Sequence, residues 1–178
     1  MPASPALEGR RVLVTGGTGF TGRFVVEHLV SAGAIVAVFV RDAARAGELK
    51  ARFPAVEICP GSFEDPDALA RALKDRDTLV NVASLGFGHA DTIVSAAEKA
   101  GVKRAVFFST TAIFTTLTAQ SKLRRQEAEA RIMQSSLDWT ILRPTMIFGT
   151  PDDRNIIRLI RWIHAHSIVP VLGSGTFS

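Results

Sequence analysis

Three glycines near the start of the chain have the spacing that a phosphate-binding turn requires. In the stretch VTGGTGFTGR (residues 14–23) they form a G-x-x-G-x-x-G pattern at Gly16, Gly19 and Gly22, between a β-branched run and an amphipathic helical segment. Gly16 suits the positive φ of a tight turn, Gly19 lets the backbone approach a pyrophosphate, and Gly22 lets the helix pack closely on the strand. The N–H groups and positive dipole end of that helix attract phosphate. We therefore predict dinucleotide contacts from Thr15, Gly16, Thr18, Gly19, Phe20, Thr21 and Gly22.

The residue after the second apolar run bears on which dinucleotide would bind. In VFVRDAAR, Arg41 directly follows the run and Arg45 comes one helical turn later. An acidic residue at this place would bind the ribose 2′-hydroxyl of NAD, whereas a guanidinium pairs bidentately with the 2′-phosphate of NADP. The sequence therefore favours NADP, and Asp42 beside Arg41 leaves NAD open.

These groups need a scaffold that brings strand ends and helix starts to one edge. Short, nearly continuous apolar runs alternate with helix-length segments, which is typical of a parallel sheet buried on both faces. The predicted strands are Arg11–Thr15, Ile35–Val40, Val56–Cys59, Thr78–Val82, Arg104–Ser109 and Trp139–Leu142. The predicted helices are Thr21–Ser31, Ala43–Arg52, Pro66–Lys74, Asp91–Ala100, Ser121–Ser135 and Arg154–His166. Strict alternation indicates an α/β protein with a Rossmann-type, doubly wound, three-layer αβα fold.

Residues typical of helix ends support the predicted helices. Asp65 before Pro66 predicts a helix N-cap followed by proline at the first helical position, and Gly33 and Gly101 follow helices where a C-terminal glycine is expected. We interpret residues 1–9 as a flexible lead-in and residues 10–178 as one domain.

Composition excludes several classes of protein. Of the 178 residues 47% are hydrophobic and 21% charged, and the net charge of +4 is scattered without interleaved aromatic residues, which argues against nucleic-acid binding. No apolar run approaches the ~20 residues of a membrane span. The N-terminal stretch MPASPALEGR lacks the apolar segment expected of a secretory signal, and no histidine cluster suggests a metal site. The one cysteine, Cys59, permits no intrachain disulfide, which suits the cytoplasm.

Several stretches together resemble one superfamily. VTGGTGFTG, VRD, NVAS, GVKRAVFFSTTAIF and LDWTILRPTMIFG are similar to the atypical or extended short-chain dehydrogenases/reductases, closest to the NAD(P)H-binding, NmrA-like and nucleoside-diphosphate-sugar epimerase/dehydratase-like branches. In such proteins a smaller substrate-binding region follows a GSG-type turn. VPVLGSGTFS begins such a segment at the end of this chain, so we expect a chain cut before that region, with a naturally short protein as the alternative.

The resemblance implies further cofactor contacts at the carboxyl ends of strands four to six. These are Val82, Ala83, Ser84, Ser109, Thr110, Thr111, Pro144 and Thr145, and the resemblance adds Lys122 at the start of the helix before strand six. In PGSFEDP, Ser62 stands where relatives often carry an Asp beside the adenine, a departure that puts an adenine contact there in doubt.

The resemblance also implies an acid–base apparatus that this chain lacks in part. Reductases of the superfamily usually use a Ser or Thr, a Tyr and a Lys, with the last two spaced Y-x-x-x-K. Lys122 fits the lysine and Thr110 or Thr111 the hydroxyl, but Thr118 stands at the tyrosine position and the chain contains no tyrosine. The threonine hydroxyl is far less acidic than a tyrosine of pKa about 10, so it is a poor substitute.

Three interpretations follow from the missing tyrosine. Lys122 itself could act if desolvation lowers its pKa, or His89 in the LGFGHA loop could supply an acid or base. The third is a non-catalytic NADP(H)-binding redox sensor, assembly factor or regulatory module. We expect an NADP(H)-binding protein, either an oxidoreductase or epimerase/dehydratase-like enzyme without the usual tyrosine or that module. The expected partner is an unidentified small-molecule substrate. The resemblance also suggests a homodimer through segments Asp91–Ala100 and Ser121–Ser135.

Overall fold

The computed structural model describes residues 7–116, 119–153 and 156–166, and in them six strands alternate with six α-helices. The strands are β1 Arg11–Thr15, β2 Ile35–Val40, β3 Glu57–Pro60, β4 Thr78–Asn81, β5 Arg104–Phe108 and β6 Asp138–Leu142. The helices are α1 Phe20–Ser31, α2 Gly47–Arg52, α3 Pro66–Leu73, α4 Ala90–Lys99, α5 Gln120–Met133 and α6 Ile156–Ala165. Single 3₁₀ turns cover Ala43–Ala46, Leu85–Phe87 and Thr111–Phe114.

All neighbouring strands pair in parallel, in the order β3-β2-β1-β4-β5-β6. Val14 of β1 lies between Val38 of β2 and Val80 of β4. The chain runs outward in one direction through β1 to β3 and in the other through β4 to β6. The carboxyl edge between β1 and β4 is therefore the topological switch point, where such sheets bind dinucleotides. The predicted Rossmann-type fold is confirmed.

Side chains that alternate along each strand fill two apolar cores, one on each face of the sheet. Leu13 of β1 is fully buried in the core that also contains Leu69 of α3 and Phe107 of β5. Its neighbours Val12 and Val14 are buried in the other core, as the two-residue period of a strand dictates. Each fully buried aliphatic or aromatic side chain contributes about 1.5–3 kcal/mol, so the strand ends are held on a rigid base.

The helix cap at Asp65 is present as predicted, whereas the segment between β2 and β3 differs from the prediction. Asp65 caps α3 by accepting hydrogen bonds from the N–H groups of Asp67 and Ala68, both at 3.1 Å. The expected helix over residues 43–52 is instead a 3₁₀ turn followed by α2. The Asp42 carboxylate accepts from the Ala44 N–H at 2.9 Å and holds that turn, and α2 begins only at Gly47.

The chain divides into two compact units, residues 1–145 and residues 146–178. The first contains the sheet with α1 to α5, and the second contains α6. The predicted last helix began at Arg154, which lies outside the described residues, and α6 is seen from Ile156. Across the described parts of both units, no helix combines the length and apolarity needed to cross a lipid bilayer.

Candidate functional site

The glycine turn between β1 and α1 has the shape its sequence predicts. Gly16 has φ of +70°, and a Cβ there would lie 2.6 Å from the amide nitrogen of Ala83, just past the end of β4. A Cβ on Gly22 would overlap the carbonyl oxygen of Gly16. A side chain at either position would therefore push the turn away from β4 or α1 away from the turn.

The first turn of α1 is open to an anion. Gly19 precedes the helix with extended backbone and without a side-chain cap, and the first turn contains no acidic residue. Its backbone N–H groups start at the carboxyl edge of β1, where the dipole of a 12-residue helix favours phosphate. This cradle of backbone without side chains fits a pyrophosphate.

Gly17 is a further requirement of the turn that the sequence analysis did not single out. A Cβ on Gly17 would lie 2.6 Å from Cγ1 of Val38 on β2 and 3.2 Å from Cγ2 of Val26 on α1. Gly17 therefore lets the loop lie on the buried core between α1 and the sheet. The adjacent glycine pair in VTGGTG was the available signal.

Arg41 lies exposed beside the glycine turn, as the sequence predicts. Together with Thr18, Val40 and Asp42 it lines a depression of about 330 Å³. Arg41 forms no ion pair with any residue in the described ranges, whereas one oxygen of the Asp42 carboxylate accepts from the Ala44 N–H. The Arg41 side chain is thus exposed on the same depression as Thr18 of the glycine turn.

The hydroxyl of Thr15 is used within the sheet. Thr15 is fully buried and donates from Oγ1 to Oδ1 of Asn81 at 2.6 Å, and Asn81 Nδ2 donates to the carbonyl of Ala83 at 2.9 Å. Thr15 therefore holds the ends of β1 and β4 together, while its neighbour Thr18 faces the depression beside Arg41.

The other predicted cofactor contacts come together at the carboxyl ends of β4, β5 and β6. Ser84 and Thr110 each begin a 3₁₀ turn, and their hydroxyl oxygens accept from the N–H groups of Gly86 at 3.3 Å and Ala112 at 3.2 Å. The Thr111 N–H donates to the carbonyl of Pro144 at 3.1 Å. Val82 and Ala83 are half-buried next to the glycine turn, while Thr145 is exposed after Pro144.

The candidate catalytic lysine begins α5 and points back to the loop before it. Lys122 is half-buried, and its Nζ donates to the carbonyl oxygen of Thr115 at 2.5 Å. Thr118, at the position of the usual tyrosine, lies outside the described residues. The lysine thus holds the segment between β5 and α5 near the strand ends.

His89 contacts the segment after β3. Its ring lies 5.3 Å from the ring of Phe63, which itself packs 5.5 Å from Phe39, and its Nε2 is 3.9 Å from a carboxylate oxygen of Glu64. These contacts place His89 toward the β2–β3 side of the sheet. Ser62 donates to the other oxygen of Glu64, so its hydroxyl is used within the same loop.

Two exposed phenylalanines lie at the carboxyl edge, and the sequence analysis missed both. Phe87 follows β4 and Phe114 follows β5, each on a 3₁₀ turn, with 70% and 71% of their surface exposed. Both rings are therefore presented to solvent by the loops that follow the strand ends. Each belongs to a loop sequence with no periodicity, which left no signal for its exposure.

An ion pair between a buried carboxylate and a partly exposed guanidinium near the same edge was also missed. The Glu129 side chain on α5 is only 4% exposed and accepts three hydrogen bonds from Arg143, the residue after β6, with distances of 2.6 to 3.1 Å. Burial raises the pKa of the Glu129 carboxyl, but hydrogen bonds from Arg143 and Ser109 and the charge of Arg143 outweigh burial and leave the pKa below its ordinary value. The pair joins a helix to a strand end 14 residues away, which no local pattern indicates.

Comparison with known proteins gives the same cofactor class. The chain is 33% identical over 138 residues to the NAD(P)H azoreductase of Xenophilus azovorans, and the match covers 75% of this chain and 47% of that protein. It is 31% identical over 144 residues to the photosystem II assembly factor Ycf39 of Synechocystis, covering 75% of this chain and 44% of that one. The chain therefore spans about half the length of these relatives.

A solved structure and a family model agree with these relatives. The NADPH-dependent quinone oxidoreductase QOR2 of Escherichia coli, crystallised with NADPH, superposes with a TM-score of 0.65 at 26% identity, covering 74% of this chain and 48% of that one. Residues 16–160, from the glycine turn into α6, match the family model described as NAD(P)H-binding. With a glycine turn that fits pyrophosphate and a sheet of the matching order, this chain belongs to the NAD(P)H-binding family within the atypical short-chain dehydrogenase/reductase superfamily.

Proposed function

We propose that this chain is the NADPH-binding part of a reductase that reduces a conjugated organic acceptor. The observation that carries the proposal is the exposed Arg41 guanidinium, which shares one depression with Thr18 beside the open glycine turn. Arg41 would bind the 2′-phosphate, the N–H groups at the start of α1 would bind the pyrophosphate, and the β4–β6 edge would receive the nicotinamide. The bound cofactor supplies a hydride; the chain's task is to orient it.

The missing tyrosine restricts which acceptors this site can serve. Reduction of a simple ketone by hydride gives a strongly basic alkoxide and needs a positioned acid, which a tyrosine usually provides. A quinone instead becomes a phenolate, whose conjugate acid resembles a tyrosine side chain with pKa about 10, so water can supply the proton. A quinone therefore needs one hydride from the cofactor, which carries both electrons, and one proton from water, but no acid from the protein.

The exposed phenylalanines support a planar acceptor. Phe87 and Phe114 present apolar rings on the loops after β4 and β5, on the half of the sheet away from Arg41. Aromatic faces stack on flat conjugated ligands. The azoreductase and the quinone oxidoreductase among the similar proteins carry names of conjugated acceptors, which supports the same class.

A second candidate is a non-catalytic NADPH-binding module. It is favoured by the absence of tyrosine and by the hydrogen bond that engages Lys122 Nζ with the Thr115 carbonyl. One relative is named as an assembly factor, so the family includes proteins with such names. In this case the bound cofactor would report the redox state or stabilise a complex.

The proposal also includes an oligomeric state and a cellular compartment. We infer a homodimer through α4 and α5, which Arg131 holds together by ion pairs to Asp91 at 2.8 Å and Glu98 at 2.9 Å. Leu123 and Met133 remain exposed on α5 and would lie in such an interface. Residence in the cytoplasm is consistent with a chain whose one cysteine forms no disulfide.

The proposal is tested with the whole 178-residue protein. We would titrate it with NADPH and NADH while following nicotinamide fluorescence, and then add menadione, an azo dye or a UDP-sugar while following the loss of nicotinamide absorbance. We expect tighter binding of NADPH than NADH, and turnover with menadione or the dye but not with the UDP-sugar. Saturable binding without turnover would favour the non-catalytic module, and absence of binding to both cofactors would overturn both proposals.

A further inference from the structure

The Glu129–Arg143 pair connects three separate segments at the carboxyl edge of the sheet. Glu129 lies about two helical turns after Lys122 on α5, and Arg143 stands between β6 and Pro144. The guanidinium binds both carboxylate oxygens, and its Cζ also lies 5.7 Å from the centre of the Phe114 ring. One ion pair thus touches α5, the end of β6 and the loop after β5.

Backbone hydrogen bonds continue between the two segments that follow β5 and β6. The Ser109 N–H donates to the Leu142 carbonyl at 2.7 Å, and the Thr111 N–H donates to the Pro144 carbonyl at 3.1 Å. The Ser109 Oγ is buried without a hydrogen bond of good geometry in the described residues, yet it lies close enough to help lower the pKa of the Glu129 carboxyl. The two strand ends are therefore fixed to each other and, through Glu129, to α5.

We propose that Glu129 and Arg143 are positioning residues that set the wall of the nicotinamide half-site without contacting the cofactor. The inference rests on the proposed NADPH binding. The strand order places Arg41, after β2, on one side of the switch point and the β5–β6 ends on the other. A dinucleotide that binds across the switch point puts its two mononucleotides over the two halves of the sheet. Loss of the ion pair would therefore loosen one half-site and leave the other intact.

The experiment compares a whole cofactor with its adenosine half. NADPH occupies both half-sites, whereas 2′,5′-ADP carries the 2′-phosphate but no nicotinamide. In Glu129→Gln we expect the Kd of NADPH to rise about tenfold, the size expected for losing hydrogen bonds to a charged group, and the Kd of 2′,5′-ADP to change by less than about twofold. The change in NADPH fluorescence on binding should also be smaller in the variant than in the unaltered protein, because that signal reports the surroundings of the nicotinamide ring.

A matched control is available on the neighbouring helix. Glu98 of α4 is likewise a carboxylate paired with an arginine of α5, Arg131, at 2.9 Å, and its pKa is lowered, first by the Ser136 N–H and then by Arg131. Glu98→Gln should leave both Kd values unchanged. Equal weakening of NADPH and 2′,5′-ADP in Glu129→Gln would overturn the proposal, and so would unchanged binding of both.

A second variant, Arg143→Lys, tests the proposal if Glu129→Gln does not fold. Arg143→Lys keeps the charge but removes the planar fork that binds both oxygens, and the Arg143 side chain is 35% exposed, so the protein should tolerate it. In Arg143→Lys we expect the Kd of NADPH to rise severalfold and the Kd of 2′,5′-ADP to stay unchanged. If the ratio of these two Kd values is the same as in the unaltered protein, the positioning role is rejected. Failure of the unaltered protein to bind NADPH would instead reject the proposed function, so the two failures are distinguishable.

Discussion

Thr15 of β1 and Asn81 of β4 join the two halves of the sheet by a hydrogen bond of 2.6 Å between buried side chains. The bond lies at the switch point, directly below the turn that Gly16 forms against Ala83. The Asn81 side-chain amide in turn donates a hydrogen bond to the Ala83 carbonyl. The spacing of the crevice at which a dinucleotide would bind is thus set by one short polar chain within an apolar core.

Replacement of Thr15 by Val tests this connection. The change keeps the shape of the side chain but leaves the buried Asn81 amide oxygen without its donor, so we expect the free energy of unfolding to fall by about 1–3 kcal/mol. Urea unfolding followed by circular dichroism would measure it. Thr140→Val on the exposed face of β6 is the control, with an expected change within about 0.5 kcal/mol. Equal effects of the two substitutions would contradict the role assigned to Thr15.

Arg41→Ala should separate the two nicotinamide cofactors. Loss of a charge-assisted pair with the 2′-phosphate should weaken NADPH by about 1.5–3 kcal/mol and leave NADH nearly unchanged. Fluorescence titration of both cofactors measures the difference. Arg104→Ala serves as control, because Arg104 begins β5 at the opposite edge and pairs with Asp138 at 3.2 Å. Parallel losses of NADPH and NADH in Arg41→Ala would show that Arg41 does not bind the 2′-phosphate.

Gly22→Ala should abolish cofactor binding, because the added methyl group would overlap the Gly16 carbonyl and displace the start of α1. Gly47→Ala is a matched control: Gly47 has helical φ and ψ at the start of α2, and a Cβ there meets nothing within 4 Å. That substitution should be neutral or stabilise the protein by up to about 1 kcal/mol. Isothermal titration with NADPH and thermal unfolding would measure both effects. Retained binding in Gly22→Ala would refute close packing as the reason for this glycine.

The ion pair between the buried Glu129 carboxylate and Arg143 predicts a loss of stability in acid. Arg143 and Ser109 hold the pKa of Glu129 below its ordinary value of 4.5 despite burial. A lowered folded-state pKa means that the contribution is complete above about pH 4.5 and is lost as the pH falls through the folded value. The stability difference between the unaltered protein and Glu129→Gln should therefore shrink as urea unfolding is repeated from pH 7 to pH 3. A difference that stays constant with pH would exclude ionised Glu129 as its source.

Cys59 should be chemically inert in the folded protein. Burial, followed by the nearby charge of Glu57, raises the pKa of the thiol to about 11 from an ordinary value of 9.0, and the thiolate is the reactive form. At pH 8 we expect alkylation by iodoacetamide to be about 100-fold slower than in urea, consistent with a two-unit difference in thiolate fraction. Mass spectrometry of timed samples would measure both rates. Similar rates in the two states would show that the thiol is accessible and ionised.

The sequence allowed accurate prediction where a local pattern had a local cause. β1 and β2 have the expected bounds because each apolar run ends at a turn residue, and Asp65 caps α3 through the N–H groups two and three residues later. The glycine turn belongs to the same class, since the φ of +70° at Gly16 depends on the adjacent residues and on a strand–helix context that could be read directly.

The features that escaped prediction depend on tertiary register. Glu129 is one of several charged residues of α5, and only the packing of α5 against the end of β6 places it against Arg143. Likewise the sequence predicts a dinucleotide contact for Thr15 at the end of the first strand, but it does not reveal the parallel register that sets the Thr15 hydroxyl opposite Asn81. Side chains separated by many residues meet according to packing, which a periodic pattern does not contain.

The hydrogen bond between Asp42 and the Ala44 N–H has a consequence for redesign of this domain. Conversion of an NADP-binding protein to NAD requires a carboxylate at the end of the second strand that accepts from the ribose hydroxyls. Here Asp42 already uses an oxygen to close the 3₁₀ turn that leads into α2. Under the proposed NADPH binding we expect removal of Arg41 to lower NADPH affinity, and an exchange of specificity to call for an acidic residue other than the one that caps this turn.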